Sequence, residues 1–417
     1  QDTLKISLIK NVSFRMIHVK KIMFCTIARR ALSMAARDPL LFTPGPLTTS
    51  MTTKQAMLHD FGSRDASFIT VVERVRERLL KIAGVKSSEF TCVLMQGSGT
   101  FGVEGVLTTV VPKTAGKLLI ASNGAYGMRM AKIADVYGIE KVLISKPENC
   151  TYTDTDIQEA LAAHPEVTTV ALVHSETTSG ILNPVEKIGK TVRNAGKTFI
   201  VDAMSSFGGI PISMANIDFL VSSSNKCLEG VPGFSFTIAR RDLLEASSCN
   251  SRTLSLDLHA QNAGLDRNGQ FRFTPPTHAI LAMDQALDEL DSEGGVAKRY
   301  IRYKNLQKIL TDGYEALGFV PYVKKENQGP IITTFLFPDH LNWDFTTFYQ
   351  LLSDRGMLIY PGVVSTVDSF RVGNIGRLSE ENMIELVEVT AAILKEMNIS
   401  LKHPTARPPA SHTPYKN

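Results

Sequence analysis

No apolar run in this chain approaches the roughly 20 residues that a membrane-spanning helix needs, so nothing in it reads as a bilayer anchor. Cysteine is sparse. Cys25, Cys92, Cys150, Cys227 and Cys249 are scattered, odd in number and free of CxxC spacing. That excludes a disulfide framework and a zinc ribbon, and it suits reduced thiols inside a cell. Net charge is also small: 45 Lys and Arg against 41 Asp and Glu leave +4 over 417 residues, so composition gives no reason to expect nucleic-acid binding. No internal repeat is visible.

Acid is missing altogether between Asp2 and Asp38, where Lys5, Lys10, Arg15, Lys20, Lys21, Arg29, Arg30 and Arg37 all fall. A basic, acid-free, partly amphipathic leader over 1–38 resembles a mitochondrial transit peptide. A disordered tail is the alternative, and the expected location is then cytoplasmic. The other end, 398–417, is Pro-rich and polar and reads as disordered.

Between these ends lies ordinary globular composition, with 43% hydrophobic and 21% charged residues. Apolar periodicity predicts a helix over Phe68–Ala83, with Thr70 and Glu73 at capping-box spacing. Strand-like and helix-like segments then alternate. Strands are expected at Thr91–Met95, Lys117–Ala121, Val142–Ile144, Thr168–Val173, Phe199–Val201, Phe219–Val221 and Phe234–Ala239. Helices are expected at Gly102–Val111, Arg129–Tyr137, Asp156–His164 and from Pro184. Alternation of this kind means βαβ units and a mostly parallel, seven-stranded-type sheet covered on both faces. The reading is therefore α/β, with a large domain over 39–285. A smaller α+β domain over 286–397 carries helices near Arg299–Leu317 and Asn382–Lys395 and strands at Ile331–Phe337 and Ser369–Val372.

The loop Gln96-Gly-Ser-Gly-Thr-Phe-Gly102 matches GxGxxG after a strand and before a helix. A dinucleotide site also wants an acid about 20 residues on, and Val106–Ala134 contains none. The loop still offers hydroxyls and N–H groups at a helix start through Ser98, Gly99 and Thr100, which suits a phosphate monoester. A tight turn without ligand is the alternative. Two Gly-Lys-Thr triplets, at 189–191 and 196–198, lack the first glycine of a P-loop.

Four further residues draw notice. Asp202 ends a strand of the expected sheet, where open α/β sheets bind ligands, and could keep a pyridine nitrogen protonated. Tyr126, in Asn123-Gly-Ala-Tyr-Gly127, could lie against a planar ring or simply pack. Arg371, in Phe370-Arg-Val-Gly-Asn-Ile-Gly376, could grip a carboxylate with two prongs or join a surface ion pair. Lys226 follows three serines and an asparagine and precedes Gly230, Pro232 and Gly233. It reads either as a loop lysine on the surface or as an amine held for a Schiff base. Its own surroundings do not decide. Its neighbour Cys227 reads as packing.

In order, these segments resemble the class V (subgroup IV) aminotransferases of fold type I. The matching stretches are Leu41-Phe-Thr-Pro-Gly-Pro-Leu-Thr-Thr49, Gln96–Thr100, Asn123–Gly127, Asp202-Ala-Met-Ser-Ser-Phe-Gly-Gly209, Ser224-Asn-Lys-Cys-Leu-Glu-Gly-Val-Pro-Gly233 and Phe370–Gly376. The resemblance runs from about Leu40 to Leu394. It implies a pyridoxal 5'-phosphate enzyme that moves an amino group between a small amine and a 2-oxo acid, as a homodimer with shared active sites and no metal. By the same resemblance Lys226 forms the Schiff base and moves the proton, and Asp202 pairs with the pyridine nitrogen. Ser98, Gly99, Thr100 and Asn225 hold the phosphate, with Thr274 reaching in from a dimer partner. Tyr126 stacks on the ring, Thr177 bonds the ring hydroxyl, and Arg371 holds the carboxylate of the 2-oxo acid and, in the other half-reaction, the anionic group of the amine.

The chain departs from the family pattern twice. Met128 stands where an acid is expected before Arg129, which costs an ion pair. Glu229 stands where an amide is expected, which adds a negative charge near an anionic substrate.

Overall fold

The computed structural model describes residues 38–401, so the basic leader up to Arg37 and the tail from Lys402 lie outside the described residues. Seven strands build the main sheet: β1 (Phe90–Gln96), β2 (Lys117–Ser122), β3 (Glu140–Ser145), β4 (Thr169–Val173), β5 (Thr198–Asp202), β6 (Phe219–Ser223) and β7 (Phe234–Arg240). Their spatial order is β1-β7-β6-β5-β4-β2-β3. β7 runs antiparallel to both its neighbours and the remaining pairings are parallel. β4 and β6 are buried at every position, as continuous apolar strands covered on both faces must be.

Helices pack on both faces. The ones that matter for the site are α1 (Ala66–Ile82), α2 (Gly99–Val110), α3 (Ala125–Val136), α4 (Asp154–Ala163) and α5 (Val185–Asn194). The predicted capping box of α1 does not form. Asp65 occupies the N-cap position without a side-chain capping bond, its carboxylate accepting instead from the Ser67 hydroxyl, and the Thr70 hydroxyl donates to the Ala66 carbonyl. The helix starts four residues before Thr70, so its hydroxyl bonds back to a carbonyl within the helix rather than capping. α2 and α3 begin three and four residues earlier than the periodicity predicts, because small residues at their starts carry no hydrophobic signal. The shift has a consequence: Gly99, Thr100 and Tyr126 sit in the first turns of helices rather than in loops.

Beyond the sheet, α6 (Leu258–Asn268), α7 (Thr277–Glu293) and α8 (Gly295–Ala316) lead to a second, antiparallel sheet. It consists of β8 (Ile332–Leu336), β9 (Tyr360–Pro361) and β10 (Ser369–Gly373), in the order β8-β10-β9, flanked by α9 (Phe345–Asp354) and α10 (Glu380–Glu396). Alternation along β10 separates two jobs. Phe370 enters an aromatic cluster, with ring centroids 5.4 Å from Phe319 and 5.6 Å from Phe348, while Arg371 points the other way. Among the described residues no helix is long and apolar enough to cross a membrane.

Candidate active site

Six of the seven main strands run in one direction, so their carboxyl ends share one edge of the sheet. The segments that follow β1, β2, β4, β5 and β6 therefore converge there: Ser98–Thr100, Asn123–Gly127, Ser175–Gly180, Asp202–Gly209 and Ser224–Gly230. Register ties them closely. Asp202 lies opposite Val173 of β4 and Val221 of β6, and the Ser222 hydroxyl donates to the carbonyls of Ala203 and Met204 at 3.2 and 3.3 Å.

Lys226 is not a surface lysine. After β6 the chain turns tightly, with Glu229 N–H donating to the Lys226 carbonyl and Gly230 N–H to the Ser224 carbonyl. This turn sends the lysine inward, where Nζ donates to the carbonyls of Pro44 at 2.8 Å and Gly45 at 3.4 Å. A Cβ on Gly45 would come within 2.7 Å of Nζ, and its φ of +113° is one that glycine alone adopts easily. Burial pulls the amine pKa down to about 8, helped by Arg371 and Arg129 and opposed by Cys227 and Asp202. That shift disfavours the charged amine by about 3 kcal/mol, which is the direction a nucleophilic amine needs.

Asp202 is buried, and Oδ1 accepts from Met204 N–H at 2.9 Å. Burial raises its carboxyl to about 6, opposed by the Met204 N–H and reinforced by Glu176. A buried carboxylate near neutrality, with one donor of its own, is prepared for a cationic partner.

Ser98 is the N-cap of α2 and its side chain makes no capping bond, so the hydroxyl is left for another acceptor. The Thr100 hydroxyl accepts from Arg129 Nη1 at 3.2 Å. Thr274 is exposed, and its carbonyl accepts from Gln96 at the end of β1 at 3.1 Å. Asn225 is part-buried beside Lys226.

Arg371 is 6% exposed and donates from Nε to the Pro361 carbonyl at 3.1 Å and from Nη1 to the Thr177 carbonyl at 2.9 Å. Burial lowers its pKa, while Tyr126 and Glu176 favour the charged form. A cavity of about 340 Å³ is lined by Tyr126, Arg129 and Arg371 together with the segment 361–369.

Sequence reasoning overlooked Glu176, which is fully buried. Its Oε2 accepts from Tyr126 N–H at 3.1 Å, and its Oε1 accepts from the Thr178 N–H at 3.0 Å and hydroxyl at 2.5 Å. The Thr178 hydroxyl in turn accepts from Ala125 N–H at 2.9 Å. Glu176 and Thr178 thereby satisfy the first N–H groups of α3 and fix Tyr126. A Cβ on Gly124 would meet the Glu176 carboxyl carbon at 2.4 Å, so only glycine admits this acid. Glu176 stands next to Thr177 in the sequence, but no spacing rule marks it.

Glu229 corrects an expectation. It adds no free negative charge near a substrate. It is 2% exposed and its Oε1 accepts from Arg302 at 2.7 Å and from the Tyr303 hydroxyl at 2.6 Å. Arg299, itself fully buried, lies 3.6 Å from Oε2. Both arginines also pair with Glu293, at 2.9 and 2.8 Å. Two acids against two arginines cancel, and the network ties the Lys226 turn to α7 and α8. Cys227 is buried, donates to the Ser205 carbonyl at 3.0 Å and has its thiol pushed up to about 12, so it packs rather than reacts.

An amine with a depressed pKa, a buried carboxylate one strand away and a cationic cavity beside them fit amino-group transfer, and the chain belongs to the class-V aminotransferases, whose family description matches residues 48–375. It is 49% identical over 352 residues to the 2-aminoethylphosphonate–pyruvate transaminase of Syntrophobacter fumaroxidans, covering 84% of this chain and 94% of that protein. It is 47% identical over 362 residues to the enzyme of the same name from Bacillus cereus, covering 86% of this chain and 98% of that one. Among solved structures, alanine–glyoxylate aminotransferase from Nostoc sp. superimposes with a TM-score of 0.79 at 26% identity, over 86% of this chain and 96% of that one.

Proposed function

We propose that this transaminase uses pyridoxal phosphate to convert 2-aminoethylphosphonate and pyruvate into phosphonoacetaldehyde and alanine, in two half-reactions at Lys226. The observation that carries the reading is the part-buried amine of Lys226, depressed to about 8, one strand away from the buried carboxylate of Asp202. The 49% identity to a protein named for that substrate supports the choice of amine.

The residues present fit the cofactor. The uncapped Ser98 hydroxyl and the N–H groups of Gly99 and Thr100 suit a phosphate ester, with Asn225 alongside and Thr274 supplied across a homodimer interface. Asp202 suits a protonated ring nitrogen, Tyr126 a ring face and Thr177 a ring hydroxyl. Pyridoxal phosphate, when bound, supplies an aldehyde that takes up the amino group and a ring that withdraws electrons from the adjacent carbon.

The protein does the rest. Lys226 Nζ, its pKa drawn down to about 8 by burial, would be the amine that holds the cofactor's aldehyde, and the same Nζ would serve as the base at the substrate carbon. Asp202, itself buried, would keep the ring nitrogen protonated by electrostatic pairing. Arg371, anchored by two carbonyls, presents its remaining edge to the carboxylate of pyruvate or alanine.

The test is a pair of half-reactions on the purified holoprotein, followed by its visible absorbance. 2-Aminoethylphosphonate should discharge the band with release of phosphonoacetaldehyde, and pyruvate should restore it with release of alanine. Discharge by alanine but not by 2-aminoethylphosphonate, with restoration by glyoxylate, would move the assignment to alanine–glyoxylate transamination.

A further inference from the structure

We infer that Arg129 is the second anchor for the anionic end of the amine donor and separates a phosphonate from a carboxylate in this site. The inference rests on the proposed phosphonate donor. It starts from a mismatch between Arg371 and a phosphonate. Arg371 spends Nε and Nη1 on the carbonyls of Pro361 and Thr177, leaving one edge of the guanidinium. One edge matches the two oxygens of a carboxylate and its single charge. A phosphonate has three oxygens and, like a phosphate monoester, roughly one and a half to two negative charges near neutral pH. In 2-aminoethylphosphonate the anion also sits one carbon–carbon bond farther from the amine than in alanine, about 1.5 Å. It therefore needs another cation, farther from Lys226 and open to the cavity.

Arg129 is exposed, opens on the cavity and acts on the Lys226 amine more weakly than Arg371 does. It lines the same cavity as Arg371 and Tyr126. Its guanidinium lies over the Tyr126 ring, 4.7 Å from the centroid, and Nη1 donates to Thr100. These two contacts aim the group without neutralising it. The preceding residue is Met128, which is 48% exposed, and no carboxylate among the described residues pairs with Arg129. Asp368 is the acid on the cavity wall, against two arginines. Glu176 fixes the first turn of α3 through the Tyr126 N–H, and with it the backbone from which Arg129 extends. The outer cation therefore stands on the same rigid helix turn that presents Tyr126.

The experiment compares R129Q and R129K with wild type in two ways. The first is binding of ethylphosphonate and of propionate to the holoprotein, ligands that carry the anion without the amine. The second is kcat/KM for each half-reaction, with cofactor retention after gel filtration measured alongside. In R129Q the Kd of ethylphosphonate should weaken about 10- to 100-fold, as expected for a lost charged hydrogen bond. kcat/KM for 2-aminoethylphosphonate should fall with it. Propionate binding and the alanine half-reaction should change less than about threefold, and R129K should recover part of the phosphonate binding. Equal losses for both anions would overturn the inference, as would loss of cofactor from R129Q, which would assign Arg129 to the phosphate cradle through Thr100. A wild-type protein that alanine discharges and 2-aminoethylphosphonate does not would overturn the proposed substrate and this inference together.

Discussion

Replacing Glu229 by Gln separates two accounts of the turn that carries Lys226. In the network seen here, Glu229 and Glu293 balance Arg299 and Arg302, and Arg299 has no exposure to water. E229Q preserves shape and leaves an acceptor for the Tyr303 hydroxyl, but it turns a neutral buried set into one carrying an extra positive charge. Removing one partner of a fully buried pair costs about 3–5 kcal/mol. Glu293 and two backbone carbonyls remain for the arginines, and Arg302 is 22% exposed, so about 2–3 kcal/mol is expected here. Glu229 also holds a φ of +62°, a strained setting for a residue with a side chain, which the network maintains. Urea denaturation of the holoprotein should show the loss, and KM for 2-aminoethylphosphonate should move less than about twofold. Unchanged stability with a KM several-fold lower would refute the reasoning, because Glu229 would then be repelling the substrate.

Two other expectations follow from the buried amine and carboxylate. Covalent uptake of pyridoxal phosphate by the apoprotein should rise with pH to a half-maximal rate near the value of about 8 that burial gives Lys226; a midpoint near 10 would mean an ordinary solvated lysine. For Asp202, pushed up to about 6, cofactor affinity should weaken as pH falls below that value, because the protonated carboxyl no longer pairs with a cationic ring. D202N should lose this acid limb, with turnover lower by at least about a hundredfold, in line with about 3 kcal/mol for a charged hydrogen bond. An unaltered acid limb in D202N would assign it to another group.

Much of the scaffold was legible because buried parallel strands announce themselves. Thr169–Val173 and Phe219–Ser223 are apolar, β-branched or small throughout, and both lie where their composition predicted. Helix starts were less legible. Gly99, Thr100, Ala125 and Gly127 have no hydrophobic period, so the first turns of α2 and α3 passed for loops. Lys226 and Asp202 could be singled out because strand ends of an α/β sheet are ligand positions whatever the ligand. Glu176 and the Glu229–Arg299–Arg302–Glu293 network could not. Their meaning comes from residues 50 positions away in the first case and 73 in the second, and no local spacing encodes a charge that is cancelled from that distance.

The claim on which the rest depends is that Lys226 is the attachment lysine. Borohydride reduction of the holoprotein, followed by proteolysis and mass spectrometry, tests it directly. The account predicts a phosphopyridoxyl adduct on the peptide containing Lys226, absent from K226A. An adduct on a different lysine, or the same adduct yield from K226A, would contradict it.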